Sequence, residues 1–187
     1  MEAFAASVLL VAIAEIGDKT QLLSLYLAAR YRSPGAIVAG IAVSTLANHA
    51  LAAAVGAWVA ALVSPDVLRW ILGVAFLAFA VWALFADTLS APTGLERGRL
   101  GVFLITVVAF FVAEMGDKTQ LATVALAAKY ASVGIVVVGT TLGMMIANAP
   151  VVYAGERLAK RLPVQWARRI AALLFAVTGV VTLAGGL

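Results

Sequence analysis

Hydrophobic positions in this chain run on in long blocks instead of alternating with polar ones. Six apolar stretches, roughly 3–29, 35–62, 67–87, 101–128, 133–155 and 166–186, follow one another with short polar breaks. Each meets the length of about 20 mainly apolar residues that a membrane-crossing helix requires. The longest break is the polar segment from Asp87 to Arg99, which contains Pro92, Gly94 and Gly98. The pattern predicts an all-α membrane protein with six transmembrane helices. Residues 1–187 form a single transmembrane domain with no room for a soluble one.

Composition agrees with the pattern. The chain is 64% hydrophobic and 12% charged, with a mean hydropathy of +1.08, outside the range of soluble domains. It has no cysteine, which excludes disulfides, thiolate chemistry and cysteine metal sites. The net charge of +4 does not indicate a nucleic-acid partner, because the basic residues fall mostly in the predicted loops and so report orientation. Loops 1, 3 and 5 would hold Arg30, Arg32, Arg97, Arg99, Arg157, Lys160, Arg161, Arg168 and Arg169, and the opposite side only Arg69 and Lys129. The positive-inside rule then places the odd loops in the cytoplasm and both termini outside. The first stretch opens Met1-Glu2-Ala3 without a basic n-region and is expected to stay as a span, not to be cleaved as a signal.

Two heptapeptides interrupt the apolar pattern. Glu15 to Gln21 reads EIGDKTQ and Glu114 to Gln120 reads EMGDKTQ, 99 residues apart, each near the centre of a predicted span. Charge is costly in hydrocarbon and marks a functional site by default. The match continues: QLLSLYLAARY (21–31) aligns without gaps to QLATVALAAKY (120–130), and Gly40 and Gly56 align with Gly139 and Gly155. Three spans per half is an odd number, so the halves enter the membrane from opposite sides. This predicts an inverted repeat of two three-helix halves: repeat 1 at about 1–88, a linker at about 89–99, and repeat 2 at about 100–187. Transporters of that plan place their site at the midplane, between the repeats. One chain then completes the site, and no oligomer is required.

On a continuous helix Glu15, Asp18 and Lys19 project from one face. Gly17 and Gly116 loosen the helix beside the acids, and local unwinding there would leave Thr20, Gln21, Thr119 and Gln120 to satisfy freed backbone groups. Carboxylate, amide and hydroxyl oxygens together suit calcium, magnesium or manganese rather than copper or zinc. Four carboxylates less two lysines leave −2, which one divalent cation or two protons would neutralise, so the two would exchange. Asn48 and Asn148 serve equally as ligands or as amides that tie helices together. The repeat aligns Asn148 with His49, the sole histidine, which reads as a packed residue. A purely structural alternative pairs Glu15 with Lys19 at i, i+4. Gly139 and Gly143 form a G-x-x-x-G for close helix contact. Pro150 should kink its helix and release the carbonyl of Ile146. Trp58, Trp70 and Trp166 read as interfacial anchors.

The doubled E-x-G-D-[KR]-[ST] signature, one per half, resembles a family of small membrane cation exchangers that includes bacterial manganese exporters and the manganese/calcium–proton exchangers of the Golgi and chloroplast. The resemblance covers essentially the whole chain. It implies export of manganese or calcium against protons by alternating access, with no resident cofactor. The implied cation ligands are Glu15, Asp18, Glu114 and Asp117. Thr20, Gln21, Thr119 and Gln120 match the ends of the same motifs and would add oxygens, as would Asn48 and Asn148 if they act as ligands. A bacterial plasma membrane is the simplest location. Two other classes fit the same residues. A non-transporting scaffold or subunit would show no ion flux. An intramembrane aspartyl protease would use Asp18 and Asp117 as a shared-proton pair, but has no need of a Glu at i−3 and a Lys at i+1.

Overall fold

The computed structural model describes residues 1–85, 101–155 and 163–185. These form eight α-helices and no strand. They are α1 (Glu2–Ala14), α2 (Lys19–Tyr31), α3 (Pro34–Leu62), α4 (Pro65–Ala83), α5 (Val102–Glu114), α6 (Lys118–Tyr130), α7 (Val133–Ala154) and α8 (Val164–Leu183). Four of them, α3, α4, α7 and α8, are long and apolar enough to cross a membrane, and α1 and α5 are shorter apolar helices. The expected linker at 89–99 lies outside the described residues, as do Arg97, Arg99, Arg157, Lys160 and Arg161.

The first and fourth apolar stretches, each expected as one span loosened beside its glycine, are each two half-helices separated at the heptapeptide. The break follows from local chemistry. Met115 has φ −62° and ψ 122° and Gly116 has φ 73°, and the Asp117 N–H donates to the Glu114 carbonyl at 3.1 Å. This is a type II turn, whose third position requires a positive φ and therefore glycine. Gly17 repeats it with φ 77° and a 3.1 Å bond from Asp18 N–H to the Glu15 carbonyl. Asp18 and Asp117 then stand as extended N-caps of α2 and α6, a position aspartate favours.

Helix packing follows the repeat. α7 runs along α1 and α2, α3 runs along α5 and α6, and α4 packs on α8. Close approach depends on small residues. A Cβ at Gly143 would stand 2.7 Å from the Val8 carbonyl oxygen, and one at Gly139 would stand 2.7 Å from Ser7 Cβ, so the G-x-x-x-G brings α7 onto α1 as expected. Gly40 meets Thr106 on α5 in the same way, and Thr106 is the repeat counterpart of Ser7. Phe76, Phe79 and Phe175 form an aromatic cluster between α4 and α8, with ring centroids 5.8–6.5 Å apart. Large apolar side chains such as Leu51, Trp58, Val74, Trp166, Leu173 and Val180 face outward, whereas Ser7, Ser44, Thr45, Thr106 and Thr140 are buried. An apolar exterior around a polar interior is the arrangement a bilayer requires, since helix association there rests on packing and interhelical hydrogen bonds. This is an integral membrane protein.

The contact at Gly143 has a measurable consequence. Gly143→Ala should lower the apparent Tm in detergent, because overpacking typically costs about 1–3 kcal/mol. Gly134→Ala, where a Cβ meets nothing within 4 Å among the described residues, should leave it unchanged. Equal shifts in thermal unfolding would show that this contact does not hold α7 on α1.

Candidate cation site at the paired helix breaks

The two breaks meet. Glu15 and Glu114 are fully buried, and Asp18 and Asp117 nearly so. One carboxylate oxygen each from Glu15, Glu114 and Asp117 lies within 4.8 Å of the others, spacing that could hold a metal ion. The group draws on both repeats. Glu15 Oε1, Glu114 Oε1 and Asp117 Oδ2 accept no hydrogen bond among the described residues. Three buried carboxylates with spare oxygens make a hard, anionic pocket of the kind that receives a divalent cation.

The lysines are arranged differently from the local pairing considered for the sequence. Lys19 does not pair with Glu15. Its Nζ lies 3.5 Å from Asp117 Oδ1, and Lys118 Nζ lies 2.7 Å from Asp18 Oδ1. Each lysine therefore crosses to the aspartate of the other repeat. A lysine at the first position of a helix faces the positive end of the macrodipole, so these positions are explained by the partner across the interface. Lys118 is 4% exposed and Lys19 20%. Both lie beside acids of the two motifs, so four carboxylates and two lysines sum to a formal −2 there. Asp18, expected beside the other three acids, is held by Lys118 and lies outside the three-carboxylate group.

The remaining motif residues hold this geometry. Thr20 Oγ1 donates to Glu15 Oε2, and Thr119 Oγ1 donates to Glu114 Oε2 at 3.3 Å. Gln21 Oε1 accepts from Gly17 N–H at 2.9 Å, and Gln120 Oε1 accepts from Gly116 N–H at 2.7 Å. Each glutamine thus closes its own turn and uses its amide nitrogen on the facing long helix. Gln21 Nε2 donates to the Ala147 carbonyl at 3.0 Å, and Gln120 Nε2 donates to Asn48 Oδ1 at 2.6 Å. Asn48 also donates to the Phe111 carbonyl at 3.4 Å. Asn148 accepts from Ser24 at 2.9 Å and donates to the Met144 carbonyl at 3.1 Å. Both asparagines are thereby engaged between helices. Pro150 lies within α7, whose helix continues to Ala154.

Sequence reasoning placed the acids together and allowed for local unwinding at the glycines, but it did not specify the turn and missed the crossed lysines. The turn carried a usable signal, glycine followed by an N-cap aspartate. The crossed pairs carried none, because each lysine is adjacent in sequence to the wrong aspartate. His49 also lies closer to the site than expected, with Nε2 3.9 Å from Glu114 Oε2.

A family model described as "Divalent cation/proton antiporter GDT1" matches residues 3–91 and 102–187. The chain belongs to the GDT1 family. Among its relatives, a Vibrio cholerae protein named "Putative manganese exporter" is 50% identical over 183 residues, covering 97% of this chain and 90% of that protein. GDT1-like protein sll0615 of Synechocystis is 30% identical over 97% of each chain. GDT1-like protein 3 of Oryza sativa is 28% identical over 93% of this chain and 71% of its own length. No solved structure matches. This GDT1 member thus comes from a family of cation transporters, and the family gives the protease reading no support.

The crossed pairs predict an order of stabilities. Removing one partner of a buried ion pair costs about 3–5 kcal/mol, so Lys118→Met should lower the apparent Tm more than Lys19→Met does. Adding Asp18→Asn to Lys118→Met should recover part of the loss. A double variant no more stable than the single would show that Lys118 does not act through Asp18.

Proposed function

We propose that this GDT1 protein exchanges a divalent cation, manganese and by resemblance calcium, for protons, and exports the metal from the cytoplasm. The observation that carries this reading is the convergence of Glu15, Glu114 and Asp117 from both halves, with Asp18 beside them on Lys118. These four acids are the proposed cation ligands. Thr20, Thr119, Gln21 and Gln120 position the acids and the turns, and Asn48 and Asn148 tie the long helices to them. When the metal leaves, two protons restore the balance of a site that carries two uncompensated negative charges.

The helix pattern supports six crossings, with α1 and α2 together forming one and α5 and α6 another. Each half would then span about 1–88 or 100–187, and the halves would be inverted. The loop arginines support cytoplasmic odd loops in a bacterial plasma membrane and both termini outside. Packing also departs from the repeat in a way that supports alternating access. Gly56 on α3 is pressed against the Val124 backbone of α6, whereas its counterpart Gly155 meets nothing within 4 Å among the described residues. A cleft of about 460 Å³ opens there, lined by Leu22, Leu25, Tyr26, Val152 and Gly155. In the proposed cycle the closed contact passes from α3 and α6 to α7 and α2, as half-helix transporters rock about a midplane site.

Purified protein in liposomes containing a pH-sensitive dye tests the exchange. Manganese added outside should change the internal pH, and Glu15→Gln and Asp117→Asn should reduce the change to that of empty liposomes. Metal uptake with no pH change would leave a uniporter. Absence of both fluxes from folded protein would favour a scaffold.

A further inference from the structure

The repeat is broken chemically at one position beside the site. Residues 49 and 148 correspond at the offset of 99, and both are fully buried. Asn148 is satisfied by Ser24 and Met144. His49 is not: neither ring nitrogen has a hydrogen-bond partner among the described residues. A buried polar group left unpaired costs about 1–3 kcal/mol and calls for an explanation such as a missing ligand. The imidazole stands on the Glu114 side of the carboxylate group, with Nε2 3.9 Å from Glu114 Oε2. Metal–donor bonds of about 2.0–2.5 Å place two donors of one ion about 3–4.5 Å apart. The separation from Glu114 falls in that interval, and His49 stands outside the three carboxylates whose oxygens approach within 4.8 Å of one another, so it would join the ion from the Glu114 edge.

We infer that His49 is a nitrogen donor to the transported cation and sets the preference of this chain for a transition metal over calcium and magnesium. The inference rests on the carboxylate group being the cation site. Calcium and magnesium are hard ions that take oxygen ligands, and carboxylates alone receive manganese, calcium and magnesium alike. A neutral imidazole binds first-row transition metals and adds little for the hard pair. Placed at one edge of an otherwise all-oxygen pocket, it separates manganese from the two abundant ions without adding charge. The −2 balance of the site is therefore unchanged, and so is the exchange of one divalent ion for two protons.

The chain has one histidine, so [15N]histidine grown into protein purified without a polyhistidine tag labels position 49 alone. Pulsed EPR of Mn2+ bound to the wild-type protein should show directly coordinated 14N modulation, and the label should replace it with the 15N pattern. His49→Asn, which installs the residue of the other repeat, removes the nitrogen donor and should lower manganese exchange more than calcium exchange. Its ratio of kcat/KM for manganese over calcium should fall at least about tenfold, the scale on which even supporting groups alter metal affinity. Bound manganese with no histidine nitrogen coupling, or an unchanged metal ratio in His49→Asn, would overturn the assignment and leave His49 as a packed residue. The labelled wild-type measurement needs no variant to fold. A wild-type protein that binds manganese through His49 but moves no protons would contradict the exchange reading and leave the ligand intact. Protein that binds no manganese at all would remove both.

Discussion

Six ionic groups removed from water at one place constrain everything else in this molecule. Each repeat contributes two acids and one lysine, and neither neutralises its own aspartate. Lys118 reaches Asp18 and Lys19 reaches Asp117, so the least costly arrangement of these charges exists only when the two halves are together. Charged groups deep in an apolar medium are retained where they pair or carry a substrate. Here the aspartates are paired, while the two glutamates and Asp117 keep unpartnered oxygens. The pairing sets the interface between repeats, and the remaining oxygens set its chemistry.

That interface needs helices that end at the centre of the protein. The E-x-G-D turn supplies the end, and the following K-T-Q supplies its support. Threonine fixes the glutamate, and glutamine closes the turn with its oxygen and grips the neighbouring long helix with its nitrogen. Backbone polar groups at such depth are tolerated only when the protein satisfies them. Glutamine has both an acceptor and donors and can serve both sides. The heptapeptide is therefore one mechanical unit, in which every polar residue has a geometric task besides any contact with a cation.

Around this centre the two repeats are alike in some contacts and unlike in others. The contacts of Gly40 and Gly139 match one another, as do the turns at Gly17 and Gly116. The contacts of Gly56 and Gly155 do not, and neither do the surroundings of His49 and Asn148. The first difference opens one flank of the molecule, and the second places a nitrogen at one edge of the carboxylates.

The sequence by itself determined the solvent, the number of apolar stretches, the repeat and the identity of the acids, because hydrophobic length and residue spacing are local quantities. It also pointed to a close helix contact at Gly139 and Gly143, because small residues one turn apart let backbones approach, and the structure supplies α1 as the partner. It left open whether Asn48 and Asn148 bind metal or join helices, and the structure shows both engaged between helices. It kept the lysines near the acids without showing which acid each meets, and it allowed for unwinding between α1 and α2 without showing two separate helices. The turn is written locally in the glycine and the aspartate after it, and the continuous apolar pattern around them shows only a loosened span. The crossed ion pairs could not be read at all: Lys118 and Asp18 stand 100 residues apart, and only packing of the two halves decides which aspartate each lysine meets.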